Sequence, residues 1–317
     1  MQPNRSKCSL SEEEEEVASM TASPSHQKQT EVPEPTRVVQ NLPTAAAYDL
    51  WAPHYDTDGN FLQALDTLEM LTLLPEFLSR LVADESKFLL GRESEGLKIV
   101  DLGCGTGRNT LQLMGLASTY GIREIVGLDL SPAMLDVARK RIAEFQQSGQ
   151  QRSQHRPPTT QTQVDLAQLD MLQATSLSQI PSIAHSPAGL VSTLVLEHVP
   201  LSQFFRIVAL LLPHPGSYLL LTNMHSAMGA LSGAGFIDPE TGTKFRAESF
   251  AHTVDETVAE AKKWGFEVCE HGIRERGVDN EEMVSLLGSR SRKWYEWGGK
   301  CWFGGIFVKR DVKEMSG

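Results

Sequence analysis

Cysteine is scarce in this chain. Only Cys8, Cys104, Cys269 and Cys301 occur among 317 residues, with no C-x-x-C pair and no zinc-type spacing. That pattern suggests neither a disulfide framework nor a metal site, and it fits a reducing compartment. Positive charge is short as well: 29 Lys plus Arg against 40 Asp plus Glu leave a formal net charge of −11. Nucleic-acid binding normally needs a basic face to release counterions, so no nucleic-acid partner is expected. Long apolar runs are missing too. LTLLPEFL and LLLPHPGSYLLLT are short or broken by Pro and Gly, well under the ~20 residues of a membrane-spanning helix. The opening residues MQPNRSKCSLSEEEEE hold no signal-peptide core. The expectation is a soluble cytoplasmic protein, with the nucleus left open and no membrane partner.

What is present is a 40% hydrophobic fraction, enough for a real core. Residues 1–40 are expected to form a disordered acidic tail, because Ser, Glu, Pro, Thr and Gln dominate there and aromatics are almost absent. The Glu12 to Glu16 run reads first as a solvated charge block and second as a docking element for a basic protein partner. A single folded domain is expected over 41–312, with a helical cap at about 44–92, a flexible insertion at about 146–163, and a short tail at 313–317. Helical spacing in FLQALDTLEMLTLLPEFLSRLV supports the cap, with Pro75 opening a second helix or kinking the first. Beyond it, the short apolar runs LKIVDLG, EIVGLDLS, VDLAQLDM, GLVSTLVLEHV and GSYLLLTNM alternate with helical stretches. That alternation predicts an α/β fold, a mostly parallel sheet with helices on both faces. FEVCEHGIRE and KCWFGGIFVKR are expected to add strands to the same sheet.

The chemistry concentrates in LKIVDLGCGTGRNTLQL, a strand running through Gly103, Gly105 and Gly107 into a helix. Glycines there let the backbone approach a ligand at the switch point of an open sheet. The dinucleotide fingerprint would need glycine where Arg108 stands, and the Gly-Lys-Ser/Thr of a Walker loop is absent. Asp101, just ahead of the loop, would repel a pyrophosphate and attract an ammonium group. Asp129, at the end of EIVGLDLS, can accept both hydroxyls of a ribose. Asp170 in QLDM can accept an exocyclic amine while Met171 packs on a purine. Acids at three successive strand ends describe a site for a nucleoside carrying a cationic amino-acid tail.

These motifs resemble those of class I S-adenosylmethionine-dependent methyltransferases: DLGCGTG as the cofactor loop, GLDLS as the ribose strand end, QLDM as the adenine site and LVLEHVP as the next strand end. YDLWAPHYD resembles the cap segment of the small-molecule group similar to ubiquinone-pathway enzymes, many of them fungal. The resemblance implies a Rossmann-like seven-stranded sheet whose last strand, KCWFGGIFVKR, runs antiparallel. It implies S-adenosyl-L-methionine as cofactor, held by the loop residues Asp101, Gly103, Cys104, Gly105, Thr106, Gly107 and Asn109. Tyr55, Asp129, Leu130, Asp170, Met171 and Leu196 complete the set. The expected reaction is methyl transfer to an O or N of a small organic acceptor. His225 and His198, after the fifth and fourth predicted strands, are the candidate bases, since imidazole titrates in the right range. His54 is a third candidate, whereas His252 reads as part of a helix start. Tyr48, Trp51 and Tyr55 are expected to lie over the cofactor or to staple the cap to the core. Trp294, Tyr295, Trp297, Trp302 and Phe303 read as core packing and part of a pocket wall. The alternatives are a protein methyltransferase in a regulatory complex and a non-catalytic interaction module.

Overall fold

A computed structural model describes residues 39–88, 96–152 and 162–311. The acidic tail up to residue 38, including the Glu12 to Glu16 run, and the last residues from 312 lie outside them. The chain enters through β1 (Val39–Leu42), α1 (Thr44–Trp51) and the long α2 (Phe61–Phe88). The first described strand begins at Val39, two residues ahead of the expected boundary, and β1 pairs in parallel with a later strand. Pro75 neither starts nor divides a helix and lies inside α2. The carbonyl it leaves without a donor belongs to Leu71, a residue on the exposed side (62% exposed) where water can serve it.

The strand-helix alternation then unfolds as β2 (Leu97–Leu102), α3 (Arg108–Tyr120), β3 (Ile122–Asp129), α4 (Pro132–Arg152), β4 (Gln163–Gln168), β5 (Gly189–Thr193), α5 (Leu201–Leu211) and β6 (Tyr218–Met224). The first part of the expected insertion, 146–152, continues α4, and residue 163 already belongs to β4. Strands β4, β3, β2, β5 and β6 lie side by side in that order, all parallel. Successive side chains of a strand point to opposite faces. Here Ile99, Ile125, Val191 and Leu220 enter one core cluster with α2 and α3. Their neighbours Val100, Val126, Leu190 and Leu219 enter a second cluster with Phe204, Phe205 and Val208 of α5. Burial on both faces explains why these strands read as continuous apolar runs.

The rest of the chain supplies α6 (Ser226–Gly229), β7 (Gly235–Ile237), β8 (Lys244–Ala247), α7 (Val254–Lys263), β9 (Phe266–Val268), β10 (Arg274–Arg276), α8 (Glu281–Leu287), α9 (Arg292–Trp297) and β11 (Trp302–Lys309). As expected, β11 runs antiparallel beside β6. FEVCEHGIRE is not one strand: β9 and β10 pair with opposite ends of the far edge of β11. The sheet thus has seven positions and eight strands. Trp294 and Trp302 are buried core residues, Trp294 stacked on Phe61. A second sheet, β1-β8-β7, was not foreseen. Its hairpin carries Phe236 and Phe245 onto the cap, where Phe236 stacks on Trp51 with centroids 5.3 Å apart.

Candidate active site

The sheet order brings the carboxyl ends of β4, β3, β2 and β5 together, the place where open α/β sheets bind ligands. A cavity of about 770 Å³, open solvent included, lies there, a cleft of the concave, largely apolar kind in which small molecules bind. Its floor is the glycine loop. Gly103 has φ 77°, and a Cβ on it would stand 2.1 Å from Val195 Cγ2. Gly105 has φ 53°, and a Cβ there would meet nothing within 4 Å. Position 103 therefore needs glycine both for conformation and for packing, while position 105 leaves open a cradle that a side chain would fill.

Asp129 stands beside this cradle. Its Oδ2 accepts from Gly105 N (2.8 Å) and its Oδ1 from Ser131 N (2.8 Å). Burial pushes the carboxyl above its ordinary range, and the backbone N–H groups pull it back. Each oxygen keeps a second lone pair for a ligand hydroxyl. Leu130, Leu169, Asp170, Met171 and Val199 line the adjoining wall. Asp170 Oδ1 accepts from Leu172 N (2.8 Å).

The roof comes from the cap. Thr44, Ala45, Tyr48 and Tyr55 line the cavity. Polar ties hold this segment down: Asp49 Oδ1 accepts from Ser131 Oγ (2.5 Å) and Ala133 N (3.3 Å), so α1 supplies an acceptor at the start of α4. Asp56 accepts from Thr106 Oγ1 (2.9 Å), Gln63 Nε2 (3.1 Å) and Arg141 Nη1 (2.8 Å).

His198 joins roof to floor. Its Nδ1 lies 2.7 Å from the Glu248 carbonyl oxygen and its Nε2 2.8 Å from Tyr48 Oη. A carbonyl can only accept, so Nδ1 carries the proton, Nε2 is the acceptor and Tyr48 donates to it. Burial pushes the His198 pKa down to about 4, which keeps the ring neutral near pH 7. Glu197, whose pKa burial raises to about 8, sets Oε1 3.7 Å from the same Nε2.

Several expected contacts fall elsewhere. His225 is not among the described residues that line the cavity. It caps α6 by accepting from Ala227 N (3.1 Å), and its Nε2 lies 3.0 Å from Glu275 Oε1 of β10. Both ring nitrogens are spent on structure, so the catalytic assignment from strand position does not hold for it. His54 sits in the turn after α1, also off the cavity wall, and His252 lies one residue before the Thr253 cap of α7. Asp101 is buried, its Oδ2 accepting from Thr110 Oγ1 (2.7 Å), and burial raises its pKa to about 6. It braces the start of α3 and is not among the described residues that line the cavity. Cys104 packs under the loop against Gly127, Thr106 is tied to Asp56, and Gly107 caps α3. Asn109 bonds to Thr193 Oγ1, and Leu196 is fully buried in the core. These five shape the loop and the β5 end from behind and do not line the cavity.

The sequence reading missed Thr44, Ala45, Thr193, Leu194 and Val195 of the wall. Leu194 has φ 56°, a conformation that costs a branched residue energy and recurs at ligand sites. The motif LVLEHVP already placed a strand end there and could have pointed to Thr193 and Leu194. Nothing local marks Thr44 or Ala45.

A family model described as a methyltransferase domain matches residues 99–206. The chain is 46% identical over 273 residues to an uncharacterized methyltransferase of Emericella nidulans, covering 84% of this chain and 91% of that protein. Among solved structures, an S-adenosylmethionine-dependent methyltransferase from Mesorhizobium loti aligns with TM-score 0.45 at 20% identity, covering 72% of this chain and 98% of the other. Magnesium protoporphyrin IX methyltransferase from Synechocystis PCC 6803 aligns with TM-score 0.43 at 15% identity, covering 84% and 95%. The chain belongs to the S-adenosylmethionine-dependent methyltransferases. It is an enzyme of that class, and its cofactor is S-adenosyl-L-methionine.

The residues present fit that cofactor. The side-chain-free cradle at Gly105 lies against an acid with lone pairs to accept two hydroxyls, and an apolar wall with one carboxylate at its rim suits a purine. There is no phosphate-binding sequence motif to compete with this reading.

Proposed function

We propose that the enzyme transfers a methyl group to an oxygen or nitrogen of a small organic acceptor bound under the cap. Asp129 accepts the ribose hydroxyls, Asp170 the adenine amine, and Leu130 and Met171 pack on the purine. When bound, the cofactor supplies an already activated methyl group, so the protein's work is to align the acceptor, exclude water and receive a proton. The observation that carries this reading is the roof: Tyr48 and Tyr55 close the cavity from above, in a segment tied through Asp49 to the start of α4 and through Asp56 to the glycine loop that forms the floor.

His198 is the base. A ring with a pKa of about 4 cannot strip a phenol or amine beforehand. Its Nε2 lone pair already faces Tyr48 Oη, so the proton moves by relay: as the new bond forms and the attacking atom becomes strongly acidic, Tyr48 takes that proton and passes its own to Nε2. Feeding isotopically labelled methyl donor and purified enzyme to a lysate should place the label in the low-molecular-mass fraction. Label found only in protein would turn the assignment to a protein methyltransferase.

A further inference from the structure

The segment between β8 and α7 runs along the loop that carries His198. Ala247 ends β8, where it pairs with Leu42 of β1. At the far end Thr253 closes a capping box on α7: its Oγ1 accepts from Glu256 N (3.1 Å), and Glu256 Oε2 accepts from Thr253 N (3.0 Å). Residues 248–252 are thus anchored at both ends. Their alternate members, 248, 250 and 252, each bond to one of the three residues 197–199. The Glu248 carbonyl accepts from His198 Nδ1 (2.7 Å), and Phe250 N donates to the Glu197 carbonyl (2.6 Å). His252 Nε2 lies 3.0 Å from the Val199 carbonyl oxygen. A carbonyl can only accept, so this Nε2 carries a proton and donates. The His252 ring stacks on Phe250, with centroids 5.4 Å apart and planes inclined by 9°.

Two arms of the chain therefore meet at one imidazole. β1 leads into α1 and Tyr48, which donates to His198 Nε2, and β8 leads into Glu248, which takes the hydrogen of Nδ1. The pairing of β1 with β8 sets the two arms side by side. Which nitrogen of a neutral imidazole carries the proton is decided by the hydrogen bond the other one makes. With Nδ1 donating to a carbonyl, Nε2 presents the lone pair that the Tyr48 relay needs. That carbonyl keeps its aim only while the main chain at 248 stays beside 197–199, and beyond β8 the bonds that hold it there come from Phe250 and His252.

We propose that residues 248–252 form a strap that positions His198 for proton transfer as its Nδ1–H tautomer, with His252 as the positioning side chain. This rests on His198 being the base. His252 is not among the described residues that line the cavity. It acts through the Val199 carbonyl, and its loss leaves the cofactor contacts in place.

Nuclear magnetic resonance on full-length protein, isotopically labelled in its histidine nitrogens, tests this, the His198 signals being those lost in His198→Gln. At neutral pH the wild type should show His198 protonated at Nδ1 alone. His252→Phe keeps a ring to stack on Phe250 and lacks only the N–H, so it should shift both His198 nitrogens toward the average of the two tautomers. It should also slow labelled methyl transfer to the low-molecular-mass fraction about 3- to 10-fold, the scale of one neutral hydrogen bond. Affinity for S-adenosylhomocysteine should stay within about twofold. His252→Gln, whose amide can donate to the same carbonyl, should restore both the spectrum and the rate, a rescue that a residue serving only to pack would not give. His252→Ala serves in the same way if the fold does not accommodate phenylalanine. An unshifted His198 spectrum in a folded variant without the donor would overturn the proposal, whatever the rate. Equal slowing by His252→Phe and His252→Gln would overturn it as well. Failure of the base assignment looks different: His198→Gln would keep the wild-type rate, while the nitrogen spectra would still decide whether the strap holds the ring.

Discussion

The ends of β5 and β6 invite comparison, because each is followed by a histidine on the carboxyl side of neighbouring parallel strands. At the β5 end, the His198 ring is held between the Glu248 carbonyl and Tyr48 of the cap, on the cavity wall. At the β6 end, His225 caps α6, meets Glu275 and stands edge-on to Phe303 of β11. The difference follows from sheet order. β5 lies next to β2, which carries the glycine loop, whereas β6 lies one place farther out and adjoins the antiparallel β11. A strand end is a reactive position only where its neighbours also face the ligand.

The largest effect expected from this comparison is on turnover. His198→Gln should keep cofactor affinity and lower methyl transfer about 10²- to 10⁴-fold, since glutamine can bond to Tyr48 but cannot take a proton. His225→Gln should leave the rate within about twofold. Rates of labelled methyl incorporation into the small-molecule fraction check both, and the reverse result would exchange the two roles.

A smaller effect separates binding from catalysis along the same row of strand ends. Asp129→Ala should weaken S-adenosylhomocysteine binding about 10- to 100-fold, the scale of hydrogen bonds to a charged acceptor. Calorimetry reads this, and a circular-dichroism spectrum like that of the wild type shows the fold intact. Unchanged affinity would leave Asp129 a brace for the loop and for α4.

Next comes a pH signature specific to the β5 end. Folding raises the Glu197 pKa from 4.5 to about 8 through burial. Stability linked to its neutral form is fully present below 4.5 and declines as pH rises toward 8. His198 acts in the opposite sense. Its pKa falls from 6.5 to about 4, so its contribution is complete above 6.5 and is lost as pH drops toward 4. Glu197→Gln removes the first dependence alone, and its melting temperature relative to the wild type should climb steadily between pH 5 and 8.5. A constant offset across that range would mean that Glu197 is ionised in the folded protein throughout.

The smallest effect belongs to the β6 end. His225→Ala should cost about 1 kcal/mol in urea unfolding, the usual loss for a helix cap. A null result there would leave His225 without a measurable structural role and reopen its function.

Much of the floor was legible before any coordinates. Gly103, Gly105, Asp129, Asp170 and Met171 each follow an apolar strand run, and a strand-turn-helix unit puts such residues at the ligand edge by local geometry. Asp101, Thr106 and Asn109 belong to the same motif, yet their side chains turn away from the cavity to Thr110, Asp56 and Thr193. A motif names the backbone path, while the partners available in space decide where each side chain points. The hairpin β7–β8 left no usable trace, since its strands of three and four residues carry too little alternation to register.

The sequence by itself determined the parallel core, the glycine loop and the cofactor it accepts, because each depends on residues close together in the chain, whereas the antiparallel last strand was implied only by the family resemblance. Tertiary structure alone decided which histidine reaches the site, how the cap closes over it, and which ring nitrogen of His198 carries the proton. Those outcomes rest on pairs far apart in sequence: Tyr48 with His198, Asp49 with Ser131, and His198 with Glu248. Their free energies depend on burial and shared partners that no local pattern encodes.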